Sequence, residues 1–268
     1  MKKKLSQHFL FEKNILNKII DLSGLTRGES VIEIGAGMGT LTEFLIIDAG
    51  RVCAFEIDSR LADILKERFI RHENLEILNR NFLNYDLRKL KKTEDEKFRI
   101  ISNIPYAITT DILVKIIEFK DMISSATLTV QKEYGLRLIG QPGTKAYSAL
   151  TVFVNSCANV ELLFNISASS FSPPPKVDSV VVKIDWKPEI ITKEINTKEF
   201  SLFVKLLFSQ RRKQIRNSIK NIYHDLNDEQ VSIALKQVGI ASESRPEVLT
   251  LEEFLELFKI IRKDVKTS

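Results

Sequence analysis

Between Val31 and Ser102, short apolar runs alternate with longer stretches in which apolar positions return every three or four residues, the signatures of strands and helices in turn. Strands are expected at Val31–Ile34, Arg51–Phe55, Leu75–Leu78 and Phe98–Ser102, with helices near Thr40–Ile47 and Ser59–Arg71. Strands spaced by helices in this way build a parallel sheet covered on both faces. An amino-terminal helix should precede them, because Ile15, Leu16, Ile19 and Ile20 recur at helical spacing before Gly24.

The alternation continues with a helix over Ile108–Phe119, a strand over Ser125–Val130 and a helix over Gln131–Ile139. Three further apolar, β-branched runs read as strands: Leu150–Val154, Val160–Phe164 and Val177–Trp186. Pro173, Pro174 and Pro175 cannot lie inside a central strand, so they form a stiff loop before the last of these. After Trp186 the pattern is helical only. Phe200, Phe203, Val204, Leu207 and Phe208 mark one helix, and Asn227 with Gln230 and Thr250 with Glu253 look like capping boxes that open two more. The expected division is an α/β domain over residues 1–190 and a small all-helical domain over 191–268, with the boundary near Lys187–Thr197.

Composition narrows the class only a little. With 44% hydrophobic and 28% charged residues the chain is ordinary for a soluble globular protein, and no apolar run reaches the ~18 residues of a membrane span. The start, Met1 to Lys4, is basic like a signal sequence, but Gln7, His8, Glu12, Lys13 and Asn14 interrupt any apolar core behind it, so a cytoplasmic protein is expected. Two cysteines, Cys53 and Cys157, are too few for a disulfide framework and lack zinc-site spacing. A net charge of +5 merely permits a nucleic-acid partner, so the local distribution of charge must carry that argument.

The first candidate site is the turn Gly35-Ala36-Gly37-Met38-Gly39, which leaves the first strand and enters a helix. Glycines there allow positive φ and a close approach of backbone to ligand. The spacing is G-x-G-x-G, not the G-x-G-x-x-G of dinucleotide sites, while Glu56, 21 positions after Gly35, closes the second strand where a carboxylate can take two ribose hydroxyls. Adenosine in some form fits. The second candidate, Asn103-Ile104-Pro105-Tyr106, follows the fourth strand and so falls on the same carboxyl rim. An exocyclic base amine is a poor nucleophile because its lone pair is delocalised into the ring. Acceptors for both of its N–H groups, the Asn103 amide and the carbonyl of Ile104 or Pro105, favour the pyramidal form that attacks, and Tyr106 offers a face for an unstacked base.

Taken in order over nearly the whole chain, Gln7-His8-Phe9-Leu10, the glycine turn, Asn103-Ile104-Pro105-Tyr106, Phe171-Ser172-Pro173-Pro174-Pro175-Lys176-Val177-Asp178-Ser179 and Phe208-Ser209-Gln210-Arg211-Arg212-Lys213 resemble the KsgA (RsmA) ribosomal RNA adenine dimethyltransferases. The resemblance implies a Rossmann-like class I methyltransferase domain with a helical carboxyl-terminal domain for RNA or ribosome binding. It also implies S-adenosylmethionine as cofactor, S-adenosylhomocysteine as product, and no metal. The implied substrate is two adjacent adenosines in a hairpin loop near the 3′ end of small-subunit (16S) rRNA, dimethylated at N6 by a monomer acting on pre-ribosomal particles during subunit biogenesis.

Carried over residue by residue, it puts His8, Leu10, Gly35, Gly37, Glu56, Ile57, Asn81, Phe82 and Asn103 at the cofactor. Asn103, Pro105 and Tyr106 are implied at the reaction centre, with Tyr106 and Phe171 around the target base. The family often has Asn where His8 stands and usually Asp where Asn81 stands. Lys205, Arg211, Arg212, Lys213, Arg216 and Lys220 form the densest one-sign run, and on one helix Arg212, Arg216 and Lys220 would align along a phosphate backbone. Competing readings are a nicotinamide-dependent oxidoreductase, disfavoured by the glycine spacing, and a DNA adenine methyltransferase, disfavoured by Ile104. The related large-subunit enzymes of macrolide resistance fit the proline and Arg-Arg-Lys stretches less well, and an assembly factor with dispensable chemistry sits poorly with an intact Asn103 and Tyr106.

Overall fold

In the computed structural model, residues 8–188 and 196–267 are described. Lys2 to Lys4, Gln7 and most of the expected inter-domain boundary lie outside the described residues.

A two-residue strand β1 (Phe9–Leu10) leads into helix α1 (Lys13–Ser23), and β2 (Ser30–Ile34), α2 (Thr42–Asp48), β3 (Arg51–Phe55), α3 (Ser59–Arg68) and β4 (Leu75–Leu78) follow. After β5 (Phe98–Asn103) come α4 (Thr109–Glu118), β6 (Ile123–Gln131), α5 (Lys132–Leu138), α6 (Ala149–Asn155), β7 (Ala158–Ile166), β8 (Phe171–Ser172) and β9 (Ser179–Trp186). The main sheet runs β4-β3-β2-β5-β6-β9-β7, with β2, β3, β4, β5 and β6 parallel and β9 antiparallel to β6. The chain steps outward from β2 to β3 and β4, then returns to β5 on the other side. The switch point of the fold is therefore the gap between β2 and β5, where such sheets bind ligands beyond the strand ends.

Local chemistry sets the boundaries. Asp58 caps α3 by accepting from the Arg60 amide at 3.0 Å, and α1 ends at Gly24 with φ +71°, a left-handed cap. Val31, Ile32, Val52, Cys53, Ala54, Ile100 and Ile101 are buried because both faces of these central strands are covered, which explains their near-continuous apolar runs.

Leu150–Val154, expected as a strand, is helical and forms the body of α6. Ser148 and Thr151 make a reciprocal capping box that nucleates it, and a short β-branched run cannot by periodicity be told from a buried helical turn.

Two compact units emerge. The first comprises residues 1–135 and 160–186, and the second residues 136–159 and 187–268. The second unit thus takes α6 as well as α7 (Thr197–Ser209), α8 (Ile215–Ile222), α9 (Asp228–Val238) and α10 (Leu251–Thr267), a division that a single cut in chain order does not reproduce. Tyr147 and Val152 pack with Phe200, Phe203, Leu207 and Phe254, and the Tyr147 hydroxyl donates to the Leu249 carbonyl at 2.7 Å. Among the described residues no helix is long and apolar enough to cross a membrane.

Candidate active site

The site grows from the end of β2. The β2–β5 register runs from Ser30↔Phe98 to Ile32↔Ile100, and beyond it Ser102 takes over the pairing with its side chain. Its hydroxyl donates to the Ile34 carbonyl at 2.7 Å and accepts from the Ile34 amide at 3.0 Å, so both backbone groups stay satisfied where the strands part. Sequence reasoning missed Ser102, because a serine in a strand carries no distinguishing pattern.

Gly35 and Ala36 both donate to the Phe55 carbonyl, at 2.8 and 3.1 Å, and Gly35, Gly37 and Gly39 all have positive φ. The Gly37 amide donates to Glu56 Oε2 at 2.9 Å, and the Asp58 amide donates to Oε1 at 2.8 Å. Glu56 is 2% exposed. Its carboxylate therefore holds the turn in shape, while each oxygen keeps acceptor capacity for a further donor. Below it Glu33, wholly buried, accepts from the Thr42 hydroxyl at 2.6 Å. Burial first, then the nearby Glu56 charge, push its carboxyl up to about 8 against the lowering effect of that hydrogen bond, so Glu33 is protonated at neutral pH.

The second motif meets the first directly. A Cβ built on Gly35 would lie 3.4 Å from Cγ and Cδ of Pro105, so glycine turn and Asn103-Ile104-Pro105-Tyr106 share one rim. Asn103 Nδ2 donates to the His8 carbonyl at 3.1 Å. That bond fixes the amide and leaves Oδ1 as its accepting end. The Pro105 carbonyl already accepts from the Ile108 amide at 3.2 Å, which leaves the Ile104 carbonyl as the better second acceptor. The Tyr106 hydroxyl bonds Ser179 Oγ at 2.6 Å, and burial raises its pKa above the usual phenol range.

The lead-in strand lies across both motifs. Phe9 packs on the glycine turn so closely that a Cβ on Gly37 would come within 2.6 Å of its ring. The His8 ring stacks on Tyr106 at 5.8 Å between centroids, and its Nδ1 bonds the Pro173 carbonyl at 2.7 Å. Leu10, expected at the cofactor, is buried in the core and pairs with Phe171 across β1 and β8. Phe171 is itself 2% exposed and packs in the same core, so neither of its faces is open to a base. It anchors the lead-in instead.

The remaining expected residues divide. Ile57 is 52% exposed at the rim, whereas Phe82 turns inward against Phe55, edge to face at 5.3 Å, with Lys115 Nζ 5.6 Å from its ring. Asn81 Oδ1 accepts from the Leu83 amide at 3.0 Å, capping a short helical turn, which leaves one lone pair on that oxygen. In the second unit Arg212 and Lys213 are exposed in the turn between α7 and α8, so Arg212 is not in helical line with Arg216 and Lys220. Arg216 and Lys220 converge on Asp228, at 3.3 and 2.6 Å, and Arg211 pairs with Glu247 at 3.3 Å. The run is acid-free in sequence, but α9 and the turn before α10 bring acids to it.

A fixed carboxylate with spare acceptor capacity, a glycine-rich turn and an exposed aliphatic wall fit an adenosyl group. Among the described residues no group of three His, Cys, Asp or Glu could hold a metal ion.

The sequence profile of ribosomal RNA adenine dimethylase matches residues 1–263. A Staphylococcus epidermidis protein named ribosomal RNA small subunit methyltransferase A is 37% identical over 267 residues, which cover 98% of this chain and 90% of that protein. The crystal structure of a dimethyladenosine transferase from Plasmodium falciparum superposes with a TM-score of 0.83 at 28% identity, covering 96% of this chain and 98% of that one. That of the 23S rRNA methyltransferase ErmE gives 0.71 at 26%, covering 95% and 99%.

Proposed function

The chain belongs to the ribosomal RNA adenine dimethylase family, and from that premise we propose that it dimethylates N6 of two adjacent adenosines in the 3′-terminal hairpin loop of small-subunit (16S) rRNA. It is an S-adenosylmethionine-dependent rRNA adenine dimethyltransferase. The assignment to the small subunit follows the names of the relatives.

One observation carries the chemistry: the bond from Asn103 Nδ2 to the His8 carbonyl, which commits the amide oxygen to accepting. When bound, S-adenosylmethionine supplies a methyl group made electrophilic by its sulfonium sulfur. Glu56, which braces Gly37, accepts from ribose hydroxyls, and Ile57 covers one face of the adenine with Asn81 at its edge. Asn103 Oδ1 and the Ile104 carbonyl accept from the target amine, localise its lone pair and steady the positive charge that develops on nitrogen. Alignment of the two partners does most of the work, and no strong base is needed because the alkylated amine loses its extra proton readily. Tyr106, held by Ser179, supports the unstacked base.

Arg212 and Lys213 contact RNA phosphates, and Arg211 and Arg216 do so only in competition with Glu247 and Asp228. The enzyme acts as a monomer on pre-ribosomal small subunits in the cytoplasm. The test is tritiated methyl transfer to small subunits from a strain lacking the modification, with labelled nucleotides mapped. Label on two adjacent adenosines of the 3′ hairpin is expected. Label only in large-subunit RNA would overturn the substrate assignment.

A further inference from the structure

We infer that the His8 side chain is a displaceable cover on the target-base platform: its imidazole lies stacked against Tyr106, the ring on which that base rests, and the base has to move it aside. The inference rests on the reading of Tyr106 as the stacking platform.

The two ring centroids lie 5.8 Å apart with 24° between the planes, so the planes themselves are no farther apart than that. A base inserted between two aromatic rings needs a contact of about 3.5 Å on each side, roughly 7 Å in all, so there is no room for one without movement. Tyr106 is not the ring that moves. Its hydroxyl is bonded at 2.6 Å to Ser179, which is fully buried at the start of β9, a strand hydrogen-bonded along β6 from Ser179↔Gln131 to Asp185↔Ser125. Among the described residues the imidazole is held by far less, one bond from Nδ1 to the Pro173 carbonyl in the proline loop. Phe171 does not compete for the place, being sunk in the core.

The two halves of His8 also act separately. The bond that orients Asn103 uses the backbone carbonyl of His8, whereas the stack on Tyr106 and the tether to Pro173 use its side chain. A side-chain rotation clears the tyrosine and leaves Asn103 oriented. Every incoming base faces the same displacement, so His8 adds a uniform cost to base entry, while discrimination between bases rests on Asn103 Oδ1 and the Ile104 carbonyl.

The experiment measures methyl transfer at saturating S-adenosylmethionine to unmethylated small subunits, with S-adenosylhomocysteine binding followed by calorimetry for each variant. His8→Ala and His8→Asn should each lower the KM for subunits about three- to tenfold, and His8→Trp should raise it by a similar factor. An unchanged or raised KM in His8→Ala and His8→Asn overturns the inference. Tyr106→Ala distinguishes that failure from failure of the underlying reading. If it is impaired while the His8 variants are unaffected, only the role of His8 falls; if it behaves as the unaltered enzyme does, the stacking platform itself is misassigned. Nuclear magnetic resonance of the unaltered protein, which has only three histidines, gives a check independent of variant folding. The His8 ring protons should lose their shielding by Tyr106 when an RNA hairpin with adjacent loop adenosines binds, and signals that stay in place with RNA bound refute the displacement.

Discussion

Replacing Gly37 with alanine should damage catalysis through Phe9, a residue with no chemistry of its own. The added Cβ would sit 2.6 Å from Phe9 Cε1 and 2.9 Å from Cδ1, at a backbone φ of +60°. An ordinary carbon contact lies near 3.5–4.0 Å, so ring and turn must separate by about 1 Å, in addition to left-handed strain of about 1–2 kcal/mol. Phe9 is backbone-paired with Ser172 in β1–β8 and joined to His8, whose carbonyl holds Asn103, so whatever strain its ring does not relieve by rotating passes to the lead-in. The expected loss is about 2–3 kcal/mol of stability, a fall in Tm of roughly 4–12 °C at about 2–4 °C per kcal/mol, and a kcat reduced at least about tenfold. Thermal unfolding gives the first, and single-turnover methyl transfer at saturating cofactor gives the second. Gly39→Ala is the control: its φ is +81° and its Cβ would strike Phe69 and Leu65, so it shares the strain without touching Phe9. Adding Phe9→Ala to Gly37→Ala should restore part of the stability. A Gly37→Ala enzyme with normal kcat, or one no worse than Gly39→Ala, would refute this coupling through the lead-in.

Asn103→Ala should abolish most transfer, about 10²-fold or more in kcat, while S-adenosylhomocysteine affinity measured by calorimetry changes only a few-fold. Glu33→Gln should alter stability in a pH-dependent way. The folded carboxyl titrates near 8 and the unfolded one near 4.5, so wild-type stability is fully present below pH ~4.5 and declines as pH rises through 8. The glutamine variant should therefore gain on the wild type across that window in denaturant titrations, and a constant difference would exclude a protonated Glu33. The double variant Arg212→Ala, Lys213→Ala should weaken RNA binding and flatten its salt dependence by one to two ion equivalents. Arg216→Ala, whose charge is already met by Asp228, should change both less, and equal effects would show that the Asp228 contact opens on binding.

Much of the sheet was legible. Arg51–Phe55 and Leu75–Leu78 match their strands end to end: β3, buried along nearly its whole length, leaves an apolar run, while the edge strand β4 alternates around the exposed Glu76. The shared rim of Gly35 and Pro105 followed from strand order alone. What periodicity could not show was side-chain direction at strand ends and in loops. Phe82 and Phe171 have the composition of binding aromatics but point into the core, drawn there by the apolar area they bury. The basic run looked like one charged face because the sequence hides the break between α7 and α8 and the arrival of Asp228 from a later helix. Glu56 was expected to meet a ribose and was not expected to brace Gly37, since a carboxylate's backbone partners depend on how two loops approach.

The short ribbon of β1 with β8 has a consequence for the order in which the molecule is assembled. The partners Ser172 and Phe171 are translated some 160 residues after Phe9 and Leu10. Until then His8 has neither Pro173 nor Tyr106 anchored by Ser179 beside it, and the carbonyl that orients Asn103 has no fixed position. A chain that carries only the glycine turn and Asn103 therefore lacks the contacts that set the site's geometry, and the last of them comes with Ser179 at the start of β9.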